Sequence, residues 1–388
     1  MKKILYITSC DPEYLNGGSI GTRKIIETLE KLKEQNKIEW FGIVNKEKSM
    51  QNLGKYYLEI PRERSKAYLS RILGYADQME LNINTIIEII QNKEIDLVIL
   101  QNSRLGNLAE KVKKKFPKIK IIQNFDNFEY EFAKMFTKNM NLIIKKAELF
   151  LVKKSEKKCV ENMDLGIFLT KKDKISVENF YKIKKEAKII PFTYRNVFTK
   201  ELKIEKKPQV IFTGSLDMEA NIDASLFLIN NYTKLFYDKN LKLILAGRNP
   251  NNKIHKEIQK LNLKNNITII NSPSKEKMEI LLRESLFYIS PVFEGSGMKT
   301  KVAEAIFYGL PIIASQHTMI GYEFLEYEKY ENIKVFNENN ILYLKRKIGE
   351  IENYIEIKDR TEEIRKIYIE KFSENNFYVM MKGILDEI

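Results

Sequence analysis

Residue types that could bind a phosphate are concentrated in the stretch PVFEGSGMKTKVAEAIFYG, which runs from Pro291 to Gly309. The apolar run before it predicts a strand, and the GSG motif predicts a loop leading into a helix that begins near Met298. Backbone N–H groups and the helix dipole favour an anion at such a helix start. Lysine is normally disfavoured there, so two lysines in the first turn indicate that a phosphate is expected. The predicted donor-binding residues of this stretch are Glu294, Gly295, Ser296, Gly297, Met298, Lys299, Thr300 and Lys301.

A glutamate follows the two lysines one turn further along the predicted helix. Lys299 and Lys301 are two residues apart and therefore point to different sides, and Lys299 is the better phosphate ligand because it lies closer to the N-terminus. Lys301 shares a face with Glu304. A buried carboxylate at Glu304 needs hydrogen-bond donors, which ribose hydroxyls would supply. The alternative is a surface glutamate paired with Lys301.

A second glycine-containing loop, DPEYLNGGSIG, follows the first predicted strand. Gly17 and Gly18 can adopt backbone angles that are closed to other residues, and they allow a ligand to approach closely. We predict that this loop contacts a phosphate or a sugar, with a helix starting near Ser19. Its spacing is not that of the G-x-G-x-x-G motif, and the alternative is a tight strand-to-helix turn.

Carboxylates follow another buried strand in the sequence QNFDNFEYE. Asp126 is predicted to accept a proton or to hold a sugar hydroxyl. Asn127 and Glu129 are predicted to lie on the acceptor side of the same site. The alternative, which is compatible with a function, is that Asp126 or Asn127 caps the helix that follows.

Two further turns end predicted strands in the second half of the chain, one in FTGS and one in AGR. A strand-end turn of this kind can line a nucleotide site, and the second turn is predicted to line the base pocket. A plain turn is the alternative for both, and Asn221 or Asp223 is a candidate cap of the helix after the first. The predicted donor contacts are Gly214, Ser215, Gly247 and Arg248.

Two other features allow both a functional and a structural interpretation. The lysine-rich segment Lys138–Lys158 could contact anionic lipid, although a solvated helix face is the commoner outcome. His317 follows a strand near the predicted site, and a lone histidine is more often structural than catalytic.

Short apolar runs alternate with amphipathic stretches along the whole chain, which predicts a parallel α/β architecture. Helices are predicted between the strands, for example at Ser19–Glu34, Asn82–Gln91 and Leu105–Lys115. The strands predicted in the first half are Lys3–Thr8, Glu39–Val44, Asp96–Leu100, Ile119–Gln123, Leu165–Leu169 and Lys188–Ile190. Those predicted in the second half are Gln209–Phe212, Lys242–Ala246, Ile267–Ile270, Phe287–Ser290, Ile312–Ala314 and Ile333–Val335.

A polar segment bounded by two prolines divides the chain into two doubly wound domains of similar size. The predicted segments are an N-terminal domain at 1–190, a linker at 191–208, a C-terminal domain at 209–374, and a helix at 375–388 that crosses back to the first domain. Ligands of such folds lie beyond the carboxyl ends of the strands, so we expect the site in a cleft that the two domains face.

Composition excludes several classes of protein. The chain has 388 residues, 44% of them hydrophobic, which indicates folded cores rather than disorder. No apolar run approaches the roughly 20 residues of a membrane span, and the start MKKILYITS runs directly into a strand, so we predict neither a signal peptide nor a transmembrane helix. Cys10 and Cys159 fit a reducing cytoplasm rather than a disulfide framework. With two histidines and no Cys or His cluster, we expect no metal site.

The formal net charge of +14 calls for an anionic partner. Nucleic acid, an anionic membrane face and anionic small substrates are the candidates, and codon bias in an AT-rich genome is the alternative explanation for so many lysines. No motif supports nucleic-acid binding.

Taken together, these motifs resemble the GT-B fold retaining glycosyltransferases of family four. The resemblance covers nearly the whole chain and is strongest in FTGSLDMEANID, in PVFEGSGMKTKVAEAIFYGLPIIAS and in the GYE that follows. It implies metal-independent transfer of a sugar from a nucleotide donor with retention at the anomeric carbon. It also implies that Glu304 contacts the ribose. The residues that it places at the donor diphosphate or over the donor are Gly17, Gly18, Gly297, Met298 and Lys299.

Some positions depart from the pattern of that family. Many members have a second glutamate ahead of the ribose-contacting one, and this chain has Ser296 there. Many also place arginine and lysine on the diphosphate at the positions of Ser215 and Asn221, so the charge is expected from Lys299 with Arg248. Where relatives often have a histidine, this chain has Asp126.

The function that the sequence predicts is a glycosyltransferase of bacterial surface polysaccharide or glycolipid synthesis, cytoplasmic and peripheral at the inner face of the cell membrane. It needs no cofactor, and its donor is a UDP- or GDP-linked sugar. The acceptor is a saccharide or a lipid-linked saccharide. The catalytic residues are predicted to be Asp126, Lys299 and Glu304. A sugar-nucleotide epimerase of the same fold, or a non-catalytic partner subunit that binds a sugar nucleotide, are the alternatives.

Overall fold

The computed structural model describes residues 1–13, 17–46, 56–191, 205–295, 297–327, 330–337, 340–356 and 361–388. The chain divides into two compact units, of which the first comprises Met1–Pro191 and Phe377–Ile388 and the second comprises Phe192–Asn376. Each unit has its own parallel sheet and its own apolar core. Ser296 and residues 192–204 of the predicted linker lie outside the described residues.

The first unit contains one parallel seven-stranded sheet. Its strands are β1 (Lys2–Thr8), β2 (Ile38–Lys46), β3 (Leu58–Pro61), β4 (Leu97–Gln101), β5 (Lys120–Phe125), β6 (Leu165–Phe168) and β7 (Glu186–Ile189). The order across the sheet is β3-β2-β1-β4-β5-β6-β7, and in the register Ile4 lies between Trp40 of β2 and Leu97 of β4. The chain reverses its direction of winding between β1 and β4, where folds of this class bind ligands.

Helices connect these strands, and a 3-10 helix spans Gln78–Asn82. Each connection between two parallel strands must pass over a face of the sheet. Helices therefore cover both faces, and the strands are buried. The α-helices of the first unit are α1 (Gly17–Glu34), α2 (Arg64–Ile72), α3 (Ile83–Asn92), α4 (Gly106–Lys115), α5 (Glu129–Phe136), α6 (Leu142–Asn162) and α7 (Lys171–Tyr181).

The second unit repeats this plan with six strands. They are β8 (Gln209–Thr213), β9 (Lys242–Gly247), β10 (Ile267–Asn271), β11 (Phe287–Ser290), β12 (Ile312–Ser315) and β13 (Ile333–Phe336). Their order is β10-β9-β8-β11-β12-β13, so the reversal falls between β8 and β11. Its helices are α8 (Glu219–Asn230), α9 (Tyr232–Leu235), α10 (Asn252–Lys260), α11 (Lys275–Glu284), α12 (Thr300–Phe307), α13 (Ile341–Glu356) and α14 (Thr361–Lys371), with 3-10 helices at Tyr237–Lys239 and Glu323–Leu325.

The last helix, α15 (Glu374–Glu387), packs on the first unit. Its buried Met381, Ile384 and Leu385 belong to the same core cluster as Trp40 of β2. The Lys2 ammonium also donates to the carbonyl of Leu385 at 2.7 Å. The two ends of the chain are therefore held together in one core.

Each of the twelve predicted strands overlaps an observed strand, and β3 was missed. Strands buried on both faces are nearly continuous apolar runs, which makes them conspicuous in a sequence. β3 is a four-residue edge strand that ends in Pro61, and proline is depleted from strands.

Within the described ranges, no helix has the length and apolar character that crossing a membrane requires.

Candidate functional site

Two glycines allow the ends of β8 and β9 to approach closely in the second unit. A Cβ atom at Gly247 would lie 1.6 Å from the carbonyl oxygen of Gly214, so any larger residue would force the two turns apart. The amide of Leu216 donates to the Arg248 carbonyl at 2.8 Å. The exposed Arg248 guanidinium donates to the Ser215 hydroxyl at 3.2 Å. The four residues predicted in these turns therefore lie together, and the exposed guanidinium of Arg248 is the cation among them.

The side chain of Asn221 supports the first of these turns rather than a helix end. Its amide donates to the Ser215 carbonyl at 2.9 Å. The N-cap of α8 is Met218, whose side chain makes no capping hydrogen bond. Asn221 and Asp223 lie inside α8, so neither is the N-cap residue that the sequence predicted.

The loop after β11 depends on glycine at two positions. Gly295 has φ = 121° and Gly297 has φ = 70°, backbone angles that side-chain-bearing residues rarely adopt. The loop extends through Lys299, and α12 begins at Thr300 rather than near Met298 as predicted. Glu294 is exposed and Met298 is buried.

A tyrosine distant in sequence fixes the start of α12. The Tyr322 hydroxyl donates to the Lys299 carbonyl at 2.8 Å and accepts from the Ala303 amide at 3.0 Å. The first-turn amides of Thr300 and Lys301 have no partner within the helix. The Lys299 ammonium lies 3.2 Å from the Gly297 carbonyl, to which it donates. A helix start of this kind, with a lysine at its N-cap, matches the geometry expected of an anion site.

Glu304 is buried within α12, with 4% of its surface exposed. The Lys301 ammonium lies 2.6 Å from Glu304 Oε2. The alternative interpretation was therefore correct about the pairing with Lys301 and wrong about a surface position. A carboxylate oriented by a half-buried lysine can accept hydrogen bonds from ligand hydroxyls.

The loop before α12 is fastened to the loop after β12. His317 Nε2 lies 2.8 Å from the Gly295 carbonyl. The Thr318 hydroxyl donates to the Ser290 carbonyl at 2.8 Å, and the Ser315 hydroxyl donates to the carbonyl of Val292. His317 therefore has the structural role that the sequence favoured, as a support for Gly295.

In the first unit, Asp126 lies at the end of β5 beside the start of α1. Gln101, the last residue of β4, donates from Nε2 to Asp126 Oδ1 at 2.9 Å, and the Tyr6 hydroxyl donates to Gln101 Oε1. A Cβ atom at Gly21 would lie 3.9 Å from Asp126 Oδ1, so the helix that begins at Gly17 approaches this carboxylate closely.

The partial burial of Asp126 at a strand end changes its affinity for a proton. Burial is the main cause that raises the pKa of Asp126 to about 7, and repulsion from Glu129 adds to it, while the Gln101 hydrogen bond opposes it. Its ordinary value is 3.8. A carboxyl group with a pKa near neutrality can accept or donate a proton. Burial also raises the pKa of Cys10 to about 12, so that thiol stays protonated.

A buried glutamate, not Asp126 or Asn127, caps the helix after β5. Glu156 of α6 accepts from the amides of Glu129 and Tyr130 at 2.9 and 3.1 Å. The predicted capping by Asp126 or Asn127 is therefore wrong. Glu129 is itself buried and lies 2.9 Å from the Arg104 guanidinium.

Three polar residues that hold the predicted site were missed by sequence reasoning. Gln101 had a usable signal, a polar residue that ends an apolar strand. Tyr6 had none, because its partner is distant in sequence, and Tyr322 belongs to the GYE motif, which did not reveal its partners. Among the described residues, no group of three or more His, Cys, Asp or Glu side chains could hold a metal ion.

Comparison with known proteins connects the second unit to an enzyme family. Residues 194–365 match the family model described as Glycosyl transferases group 1. The chain is 24% identical to an uncharacterized 44.6 kDa protein in the cps region of Klebsiella pneumoniae, over 92% of this chain and 93% of that protein. It is also 29% identical to an uncharacterized glycosyltransferase of Methanocaldococcus jannaschii, over 39% of each chain.

Solved structures share the fold over the whole chain. The sucrose-phosphate synthase of Thermosynechococcus elongatus superposes with a TM-score of 0.70 at 14% identity, covering 100% of this chain and 99% of its own. The lipopolysaccharide outer core galactosyltransferase WaaB gives 0.68 at 14% identity, and HepE of Anabaena, solved in complex with UDP, gives 0.68 at 11%, each covering 100% of both chains. The predicted GT-B-like fold class, with two doubly wound Rossmann-like domains, is confirmed.

Proposed function

We propose that this protein is a retaining, metal-independent glycosyltransferase that moves a sugar from a nucleotide-sugar donor to a saccharide or lipid-linked acceptor. The observation that carries the proposal is the start of α12, where two positive-φ glycines, Lys299 and the buried Glu304 follow one another. The family match over residues 194–365 covers this site. The proposed setting is bacterial surface polysaccharide or glycolipid synthesis at the inner face of the cell membrane, since one relative is named for a cps region.

The donor diphosphate is proposed to lie against the first-turn amides of α12. A helix start combines unpaired N–H groups with a favourable dipole. Lys299 and Arg248 supply the positive charge, in place of the family residues that Ser215 and Asn221 replace. These groups would stabilise the charge that grows on the leaving phosphate.

Glu304 is proposed to accept hydrogen bonds from the ribose hydroxyls, and Asp126 to orient a sugar hydroxyl. Glu304 is held by Lys301, and Asp126 is held by Gln101, so both carboxylates have fixed orientations. The base is proposed to be uridine or guanosine, with UDP favoured because the similar HepE was solved with UDP.

The test is titration calorimetry of UDP and GDP against the wild type, Lys299→Ala and Lys299→Arg. Loss of one charge-assisted contact is expected to weaken binding of the favoured nucleotide about tenfold to a hundredfold in Lys299→Ala. Lys299→Arg keeps the charge and is expected to retain most of the affinity. Lys277→Ala, an exposed lysine of α11, serves as the matched control. Full affinity and full turnover in Lys299→Ala would contradict the phosphate role.

Products separate the transferase from its alternatives. Incubation with a panel of UDP- and GDP-sugars is expected to release free nucleotide slowly, because a transferase without its acceptor hydrolyses the donor. An altered sugar on an intact nucleotide would indicate an epimerase. Binding without any turnover would indicate a non-catalytic partner subunit.

A further inference from the structure

Large apolar side chains are exposed on three segments of the first unit. The segments are α2, the end of α5 and the first half of α6. The most exposed side chains, each at least 64% accessible, are Tyr68, Ile72, Phe136, Leu142, Ile143 and Phe150. These six are called the apolar face below. Scattered single apolar residues are normal on a surface, but a concentration on adjoining helices marks an interaction site.

An ion cluster shows that the three segments are neighbours. Arg71 of α2 lies 2.9 Å from Glu148 of α6, and Arg104 lies 2.7 Å from the same carboxylate. Arg104 also contacts Glu129, the first residue of α5, at 2.9 Å. Ile72 follows Arg71 directly, and Ile144, which ends the exposed run 142–144, lies one turn before Glu148. These ion pairs, which are partly buried, therefore link α2, α6 and the start of α5.

The charge around the apolar face is positive. Lys146, Lys153 and Lys154 are exposed on α6, and Lys138 is exposed between α5 and α6. Glu148 is shared by two arginines, Glu156 is fully buried, and the half-exposed Glu131 is paired with Lys134. Long lysine stems can lie along apolar surface while their ammonium groups reach outward.

We propose that the apolar face docks the protein on an anionic lipid bilayer. Apolar side chains would enter the interface between headgroups and acyl chains, and the surrounding lysines would contact lipid phosphates. The combination of apolar side chains with one sign of charge fits this occupant better than an apolar protein partner. The lysines alone had left a solvated helix face as the commoner interpretation, and the exposed apolar side chains among them now favour lipid.

The test is sedimentation of the full chain with lipid vesicles. Vesicles of phosphatidylcholine with about one third phosphatidylglycerol are expected to carry the protein down, and vesicles of phosphatidylcholine alone are expected to bind it more weakly. Ile143→Ser and Phe136→Ser should each weaken binding to the anionic vesicles about tenfold. The double variant Lys146→Glu with Lys154→Glu should weaken it by at least as much. Leu342→Ser, 81% exposed in α13 of the second unit, is the matched control and should bind as the wild type does.

Three results would overturn the docking proposal. They are absence of wild-type binding to the anionic vesicles, an equal loss in Leu342→Ser, and a dimer that Ile143→Ser converts to monomer while vesicle binding is absent. The last result would assign the apolar face to a second copy of the chain. The docking proposal rests on the membrane setting of the proposed function and names the surface involved, and its assay contains no sugar nucleotide. If the protein does not bind vesicles, the proposal for the donor site still stands. If it does not bind nucleotide, the proposal for the docking surface still stands.

Discussion

Asp126 is a partly buried carboxylate that the fold holds in a fixed orientation. Tyr6 donates to Gln101, and Gln101 donates to Asp126, so one oxygen of the carboxylate is fixed by a buried relay. Burial without a cation partner is unfavourable for a charged carboxylate. The charged form of Asp126 therefore lowers the stability of the fold. Residues that lower stability in this way are common at functional sites.

Replacing Asp126 with asparagine is therefore expected to stabilise the protein at high pH while lowering activity. Because the folded-state pKa of Asp126 is raised to about 7 from 3.8, its contribution to stability is present below about pH 4 and is lost as the pH rises to 7. Asp126→Asn should therefore raise the free energy of unfolding by about 2 kcal/mol near pH 8 and by progressively less at lower pH. Urea denaturation, followed by the fluorescence of Trp40 in the same unit, measures this.

Glu88→Gln changes an exposed carboxylate of α3 and should have no comparable effect on stability at either pH. A destabilised Asp126→Asn near pH 8 would mean that the charged form of Asp126 has a compensating partner. Unchanged transferase activity in this variant would remove Asp126 from the proposed site.

At the scale of elements, the turns after β8 and β9 are shaped by the absence of side chains. Gly247 leaves no room for a Cβ atom against the carbonyl of Gly214. The close approach brings Ser215 and Arg248 within hydrogen-bond distance. A glycine in this position therefore determines where a cation stands at the switch point between β8 and β11.

The substitution Gly247→Ala is expected to lower the free energy of unfolding by about 2 kcal/mol or more, because the two turns must separate. It should also weaken nucleotide binding, since Arg248 moves with its turn. Gly349→Ala in α13 is the matched control. Its added methyl group would meet nothing within 4 Å, and alanine in a helix interior is expected to add about 0.5–1 kcal/mol of stability.

Urea denaturation followed by far-ultraviolet circular dichroism measures both glycine variants, and calorimetry with UDP measures binding. Wild-type stability in Gly247→Ala would show that the turns after β8 and β9 can separate without cost.

The start of α12 shows why an element boundary is harder to predict than the element itself. The sequence predicted a helix from Met298, but a backbone at φ = 70° in Gly297 keeps the loop open until Lys299. The Tyr322 hydroxyl then holds the Lys299 carbonyl. This contact crosses from another loop, and no local pattern in the sequence reveals it.

For the whole molecule, the repeated βα pattern was enough to predict two Rossmann-like domains. The buried strands of both sheets are apolar runs. The GSG motif was enough to predict a loop that leads into a helix, whereas the anion site at that helix start stays a prediction. The supports of that site were not predictable, because hydrogen bonds such as Gln101–Asp126 and Tyr322–Ala303 join residues that only the tertiary fold brings together. The apolar face was missed for the same reason, since its exposed side chains belong to three separate helices.

The C-terminal helix provides a prediction at this scale. Ile384 of α15 is buried in the core cluster that contains Trp40. Ile384→Ala is expected to lower the free energy of unfolding of the first unit by about 2–4 kcal/mol, because it leaves a cavity there. Val379→Ala, at a position 57% exposed on the same helix, should change it by less than about 0.5 kcal/mol.

Trp40 fluorescence during urea denaturation measures these two helix variants. It reports on the first unit alone, since Trp40 is the chain's single tryptophan. If Ile384→Ala unfolds at the same urea concentration as the wild type, α15 contributes nothing to the stability of that core.

The return of α15 to the first unit also sets an order of events during synthesis of the chain. Residues 377–388 leave the ribosome after the entire second unit, yet they belong to the core of the first. While the second unit is being synthesised, the apolar groups around Trp40 in the nascent first unit therefore remain uncovered. Domains that emerge incomplete expose surface that chaperones bind. Translation that stops between Asn376 and Met381 would release a chain whose second unit is whole and whose first unit lacks part of its core.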